Sequence, residues 1–316
     1  MDVVTIGESM VVFTPTSDGF MRNASQFTKK IGGAESNVAV GLARLGHKAG
    51  WISKLGDDEF GKAILGFLKS ENIDVSNVSI DEEAPTGIYF KEPRRQNHMR
   101  VYYYRKGSAA SKLTPFDLNQ EYIASAKYLH ITGITPALSE SCKETIFEAI
   151  KLAKRHGRTV VFDPNLRLKL WDEATARATL LEIASEADIV LPGIAEGEFL
   201  FGERDPEKLG QLFLNHGASL VVMKNGAEGA FYFTEKESAL IPGFPVKHVV
   251  DPVGAGDGFA AGFLSGLLDG LEVGKAVERA NAVGALVTMV TGDVDGLPER
   301  DELEQLLSKN EEDVVR

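Results

Sequence analysis

The segment VVDPVGAGDGFAAGFLSGLL, Val249 to Leu268, changes character twice. An apolar stretch ends at Val250 and reads as the close of a strand. A turn with Pro252, Gly254 and Gly256 follows, and then a helix with Phe259, Phe263 and Leu267 at turn spacing on its buried side. Two glycines let a backbone come close to a ligand. The first N–H groups of a helix have no internal partner, and the macrodipole adds partial positive charge there. Together they make an anion site suited to the charge that develops on a transferring phosphoryl group. Asp257 falls in the first turn, where a carboxylate can accept the proton of an incoming hydroxyl. The dipole is expected to lower its basicity, which suits late proton acceptance in a loose transition state. Standing alone, a GxGD turn reads more readily as a glycine turn whose aspartate stabilises its helix.

Outward from this segment, strand-like and helix-like stretches alternate. Val3–Ile6, Ala49–Lys54, Lys127–Ile131, Thr159–Phe162, Ile189–Leu191, Leu220–Met223 and Val246–Val250 read as strands. Thr159–Phe162 is of the kind buried on both faces of a parallel sheet. Asn37–Leu45, the Phe60, Ile64, Leu68 series and the Ile146, Phe147, Ile150, Ala153 stripe read as helices. This alternation predicts an α/β chain with a doubly wound, mainly parallel sheet flanked by helices. Thr86–Arg105, TGIYFKEPRRQNHMRVYYYR, breaks the rhythm. It reads as a hairpin that joins residues 9–13 and 27–31 in a small β lid. The 316 residues are expected to form one α/β domain, 1–316, carrying that lid.

The composition is that of an ordinary folded protein, 43% hydrophobic and 25% charged, with a formal net charge of −12. Such a charge argues against a nucleic-acid partner. The basic cluster Arg94, Arg95, His98, Arg100, Arg105, Lys106 is the local exception, and it reads as the border of a site for an acidic substrate or as a solvated turn. One cysteine, Cys142, excludes an internal disulfide, and six histidines without ligand spacing argue against a metalloenzyme. The N-terminus lacks a basic, apolar signal pattern, and no apolar run reaches the length of a membrane span. A cytoplasmic protein without membrane contact is the expectation.

The whole run DPVGAGDGF resembles the second signature of the ribokinase-like (PfkB) carbohydrate kinase family. KKIGGAESNVAVGLARLG, Lys29–Gly46, is similar to that family's N-terminal signature, and KNGAEGAF, Lys224–Phe231, to its nucleotide-side strand and turn. The resemblance covers nearly the entire chain. It implies phosphoryl transfer from ATP with Mg²⁺ to a sugar hydroxyl, with Gly254, Ala255, Gly256 and Asp257 at the reacting centre. It also implies a lid that closes over the sugar and often joins two copies in a homo-oligomer.

The family alone does not fix the sugar. Ribokinases and fructokinases usually carry an Asp five residues after the first glycine of the opening strand, and here that position is Val12. The strings GGAESNVAVGLARLG, VYYYRKGSAAS, LHITGITPALS and FDPNLRLKLW look like the branch that acts on 2-keto-3-deoxygluconate, a six-carbon keto acid. By that resemblance Gly33, Ala34, Glu35, Asn37, Tyr89, Tyr103, Arg105, Arg167 and Asp293 line a sugar-acid site. Asn165, Lys224, Gly226, Gly229 and Asn281 then lie toward the nucleotide. An arginine can pair a substrate carboxylate through two parallel hydrogen bonds. Arg105 is read either so or as a solvated lid residue, and Arg167 either so or as a contact to nucleotide phosphate. A neutral-sugar kinase such as a fructokinase and a non-catalytic sugar-acid-binding regulator are the competing readings. The family's Asn-x-x-Glu motif appears as Gly193-Ile194-Ala195-Glu196, so Glu196 is expected to meet Mg²⁺ through water without the Asn. Asp251 is a candidate for a K⁺ site of the type found in part of the family.

Overall fold

A computed structural model describes every residue except 96, 97, 247, 315 and 316. In chain order the strands are β1 (Val3–Ile6), β2 (Met10–Pro15), β3 (Phe27–Gly32), β4 (Ala49–Gly56), β5 (Val78–Asp81), β6 (Ile88–Arg95) and β7 (His98–Tyr104). They continue with β8 (Tyr128–Thr132), β9 (Thr159–Asp163), β10 (Ile189–Val190), β11 (Leu220–Lys224), β12 (Gly229–Phe233) and β13 (Ser238–Pro242). The helices are α1 (Ala34–Arg44), α2 (Glu59–Ser70), α3 (Gln120–Ser125), α4 (Glu140–Arg155) and α5 (Glu173–Glu186). After them come α6 (Ile194–Phe201), α7 (Pro206–His216), α8 (Ala255–Leu268), α9 (Val273–Val287) and α10 (Arg300–Val314).

Nine strands form one sheet in the order β13-β12-β11-β10-β9-β8-β1-β4-β5, parallel from β11 through β5. Neighbouring residues along its strands enter opposite cores. Val3, Val161 and Val222 pack with α1, α8 and α9, whereas Val4, Phe162 and Met223 pack with α4, α5 and α7. That is why the central strands read as unbroken apolar runs rather than alternating ones. Among the described residues no helix is long and apolar enough to cross a membrane.

The remaining strands form a separate sheet, β3-β2-β6-β7. β6 and β7 make the expected hairpin, paired from Ile88↔Tyr104 to Arg95↔His98, and its turn residues 96 and 97 lie outside the described ones.

Two expectations are corrected. The chain does not form a strand over the described residues of 246–250. Val249 and Val250 are exposed instead, and the amides of Val250 and Asp251 end on the Thr288 carbonyl at 2.8 and 3.2 Å. The sheet ends instead in the antiparallel hairpin β12–β13. β10 is also cut to two residues, because the backbone turns away after Val190 toward α6.

Helices α1, α8 and α9 approach each other through glycines. A Cβ added at Gly258, Gly262 or Gly266 would lie within 3.0 Å of α9 atoms, and one at Gly41 would lie 2.7 Å from the Ala261 Cβ. Gly41→Ala would strengthen an isolated helix by about 1 kcal/mol. In this chain it is expected to lower unfolding stability by about 1–3 kcal/mol, because it wedges α1 from α8. A urea midpoint at or above that of the parent chain would show that the interface gives way freely.

Candidate active site

Two helix N-termini meet in one cleft of about 340 Å³. α8 begins after Gly254, whose φ of 82° is left-handed and whose missing Cβ would lie 2.5 Å from the Asp293 carbonyl oxygen. A side chain is thus excluded at Gly254 by both conformation and space. Gly256 is different: it is helical, and the nearest heavy atom to a Cβ there is the Lys224 Nζ at 3.9 Å. Its lack of a side chain leaves room for a ligand. The Gly258 amide makes the first intrahelical bond, to Gly254, at 2.8 Å, and the Ala255 amide leans on the Pro252 carbonyl at 3.3 Å. The amides of Gly256 and Asp257 have no acceptor among the described residues, which leaves them for an anion.

Asn37, in the first turns of α1, reaches across to α8. Its Nδ2 donates to Asp257 Oδ2 at 2.7 Å, and its Oδ1 accepts the Gly33 amide at 3.4 Å. One carboxylate oxygen is therefore fixed, and Oδ1 is left for a substrate hydroxyl. Burial raises the Asp257 pKa to about 7, with Asp163 and Asp293 adding to the rise and Asn37 and Arg167 opposing it. The expectation of a weakly basic carboxylate is corrected: desolvation outweighs the favourable ends of the helices. A base with a pKa near neutrality is well matched to proton abstraction.

A second group of charges stands at the ends of β9 and β11. Lys224 Nζ pairs with Asp163 Oδ2 at 2.6 Å. Asn165 follows with a left-handed φ of 37°, its amide bonded to Asp163 Oδ1 at 3.2 Å. Glu196 Oε2 accepts the Gly193 amide at 2.7 Å, and its Oε1 accepts the Leu166 amide at 2.9 Å. Burial pushes the Glu196 carboxyl up, against the pull of Lys224. Among the described residues no three His, Cys, Asp or Glu side chains are grouped to hold a metal ion.

The opposite wall comes from the four-stranded sheet. Tyr89 donates its hydroxyl to Asp293 Oδ2 at 2.7 Å, in the space left by Gly32, and Tyr103 lies beside it with ring centroids 5.3 Å apart. Arg105 is not a solvated lid residue. It is 8% exposed, and its Nε and Nη2 both bind Glu8 Oε2, at 2.7 and 2.5 Å. Glu35 is buried under the cleft, its Oε1 accepting Thr132 at 2.6 Å and Thr135 at 2.9 Å, and burial raises its pKa. Arg167 is exposed, and its one hydrogen bond goes to the neighbouring Leu166 carbonyl.

The cleft thus gathers Gly33, Ala34, Glu35, Asn37, Tyr89, Tyr103, Arg105, Asn165, Arg167, Glu196, Lys224, Gly254, Gly256, Asp257 and Asp293. It does not gather Ala255, Gly226, Gly229 or Asn281. Gly229 turns the chain into β12, and Asn281 Nδ2 holds the carbonyls of Ile241 and Pro242 at 3.0 and 3.1 Å. Asp251 also lies outside the lining. Its carboxylate accepts the Val253 amide at 3.1 Å and stands 3.9 Å from the Lys91 ammonium, so a lysine faces the group expected to hold K⁺. Glu8, Lys91 and Asp163 were missed. Lys91 follows Tyr89 by two in a strand, a spacing that places both on one face.

A family model described as pfkB family carbohydrate kinase matches residues 1–300. The chain belongs to that family. The kinase is 47% identical to a 2-dehydro-3-deoxygluconokinase of Bacillus subtilis (strain 168), across 98% of its own length and 96% of the relative's. It is 37% identical to an enzyme of the same name from Thermoproteus tenax, with 97% and 94% covered. Among solved structures, a PfkB protein from Polaromonas sp. JS666 superposes with a TM-score of 0.88 at 43% identity, covering 96% of this chain and 99% of that one.

Asp257→Asn keeps the shape of the side chain but cannot take a proton. It is expected to lower kcat by about two to four orders of magnitude, and a variant keeping a tenth of the parent kcat would remove Asp257 from the role of base. The base must be ionised to act, so kcat/KM should fall as pH drops below the pKa of about 7. Asn37→Ala removes a hydrogen bond that favours the ionised form. The acidic limb of the profile should then move to higher pH, and an unmoved limb would show that another group sets it.

Proposed function

We propose that this kinase transfers the γ-phosphoryl group of ATP to O6 of 2-keto-3-deoxygluconate, giving 2-keto-3-deoxy-6-phosphogluconate. The observation that carries the reading is a guanidinium in the cleft that no salt bridge engages among the described residues. Lys224 is paired with Asp163, Lys91 with Asp293 and Arg105 with Glu8, whereas Arg167 has no carboxylate partner among the described residues. A keto acid brings the missing carboxylate; a neutral sugar does not. Val12 supports the same choice, since it is buried with Met10 and Tyr89 and offers no acceptor to sugar hydroxyls.

In this reading Gly33, Ala34, Glu35, Asn37, Tyr89, Tyr103 and Asp293 surround the sugar chain, and the primary hydroxyl lies against Asp257 Oδ1. As the oxygen attacks the γ-phosphorus, its proton passes to Asp257, and ADP departs with the bridging oxygen. The amides of Gly256 and Asp257 receive the charge on the phosphoryl oxygens. Asn165 and Lys224 face the nucleotide phosphates, whereas Gly226, Gly229 and Asn281 lie beyond the cleft and would meet only the part of the nucleotide that extends past it.

Mg²⁺ would supply charge neutralisation on the phosphates when bound. Both Glu196 oxygens already accept amides, and Asp163 is paired with Lys224. These carboxylates therefore suit contact through the ion's water shell rather than direct ligation. The four-stranded sheet would close as a lid. On its aromatic side Phe13 packs on Phe60 of α2, whereas Tyr104, beside Phe90, is exposed and supports pairing with a second copy of the chain.

The deciding measurement is the ratio of kcat/KM for 2-keto-3-deoxygluconate to that for fructose. Hydrogen bonds to charged groups contribute about 1.5–3 kcal/mol, so Arg167→Ala should lower this ratio by about 10- to 100-fold. Arg105→Ala strands Glu8 instead and should depress both substrates together. A ratio indifferent to Arg167 would remove it as the carboxylate reader, and a parent enzyme that prefers fructose would overturn the keto-acid assignment.

A further inference from the structure

The reading above gives Lys91 no task beyond its pairing with Asp293, yet it is the point where three separate pieces of the site touch. It lies on β6, the middle of the smaller sheet, and is 6% exposed. Its ammonium contacts Asp293 Oδ1 and stands 3.9 Å from Asp251 Oδ2. Those two carboxylates belong to the two backbone segments that shape the phosphate-binding turn. Asp251 opens the segment that runs through Val253 to Gly254, and the Asp293 carbonyl is the atom that fills the space beside the Gly254 Cα. Both aspartates are 7% exposed. Two carboxylates brought together with little water repel each other and need a counter-charge. Lys91 is the cation within salt-bridge distance of either one, among the described residues.

We infer that Lys91 is a positioning residue for phosphoryl transfer: its fixed ammonium draws the Asp251 and Asp293 segments together, sets the phosphate-binding turn at Gly254, and ties that turn to the β6 strand. The chain thereby carries, as a side chain, the positive charge that a bound monovalent cation would otherwise place beside Asp251. This rests on the kinase assignment and is independent of the sugar, because the test uses whichever acceptor the parent enzyme turns over.

Three variants test it. Lys91→Met keeps the length without the charge, Lys91→Arg keeps the charge, and Lys91→Ala leaves a space that a small cation can enter. Lys91→Met is expected to lose about 30-fold or more in kcat, the loss expected for one partner of a buried charge pair, while KM for the sugar moves much less. Lys91→Arg should recover most of that loss. Lys91→Ala should be activated several-fold by ammonium or methylammonium ions, whereas the parent enzyme should not respond. Unfolding midpoints are measured alongside. If Lys91→Met does not fold, the comparison passes to Lys91→Arg and to Lys91→Ala with ammonium, where recovery of fold without recovery of kcat overturns the inference. So does a Lys91→Met kcat within threefold of the parent, or a loss that neither arginine nor ammonium restores. A rise in sugar KM at constant kcat would mean that Lys91 binds the substrate directly, and it too would overturn the role assigned here. An incorrect choice of sugar would show in the parent enzyme's own substrate preference and would leave these comparisons intact.

Discussion

The hydrogen bond from Asn37 to Asp257 is the constraint on which the site depends. It joins the first turns of two helices that come from opposite ends of the chain. Each helix brings unpaired amides and a positive dipole end to the cleft, and a carboxylate would normally respond by becoming more acidic. Here the close packing of α1 on α8 removes water from the same carboxylate, and desolvation prevails. One arrangement thus supplies a place for anionic phosphate and, beside it, a group basic enough to take a proton. Neither helix could do both alone.

The neighbouring charges are organised by pairing. Asp163 with Lys224, Glu8 with Arg105 and Asp293 with Lys91 place opposite charges at three walls of the cleft. Paired in this way, buried ions are held in fixed positions while their net field on the substrate remains small. Among the described residues, the guanidinium of Arg167 and the carboxylate of Asp257 are cleft groups that no ion pair holds.

Much of this was legible in the chain itself. The apolar runs of β8, β9 and β11 announce a sheet covered on both faces. Gly254 and Gly256 announce a turn shaped for a ligand, and period two on β7 separates Val101 and Tyr103, in the cleft, from Tyr102 and Tyr104. What escaped reading was non-local. Glu8 and Arg105 are joined across a sequence separation of 97, and no pattern near either residue reveals the partner. Val246–Val250 has strand composition, but the amides of Val250 and Asp251 are held by the distant Thr288 carbonyl, a tertiary contact rather than a matter of propensity. The basicity of Asp257 was misjudged for a related reason. Its position in a helix is local information, and its burial is not.

The glycines of α8 have a consequence for how this protein can change over time. Gly258, Gly262 and Gly266 lie outside the cleft lining, yet they set the distance between α8 and α9, and Gly41 sets the distance from α8 to α1. The Thr288 carbonyl just beyond α9 also receives the amides of Val250 and Asp251, so the spacing of the helices is transmitted to the phosphate-binding turn. A mutation at any of these positions adds atoms where backbones meet, and the displacement appears at the reacting centre. Sequence drift is therefore constrained well outside the cleft, at residues whose contribution to turnover is the absence of a side chain.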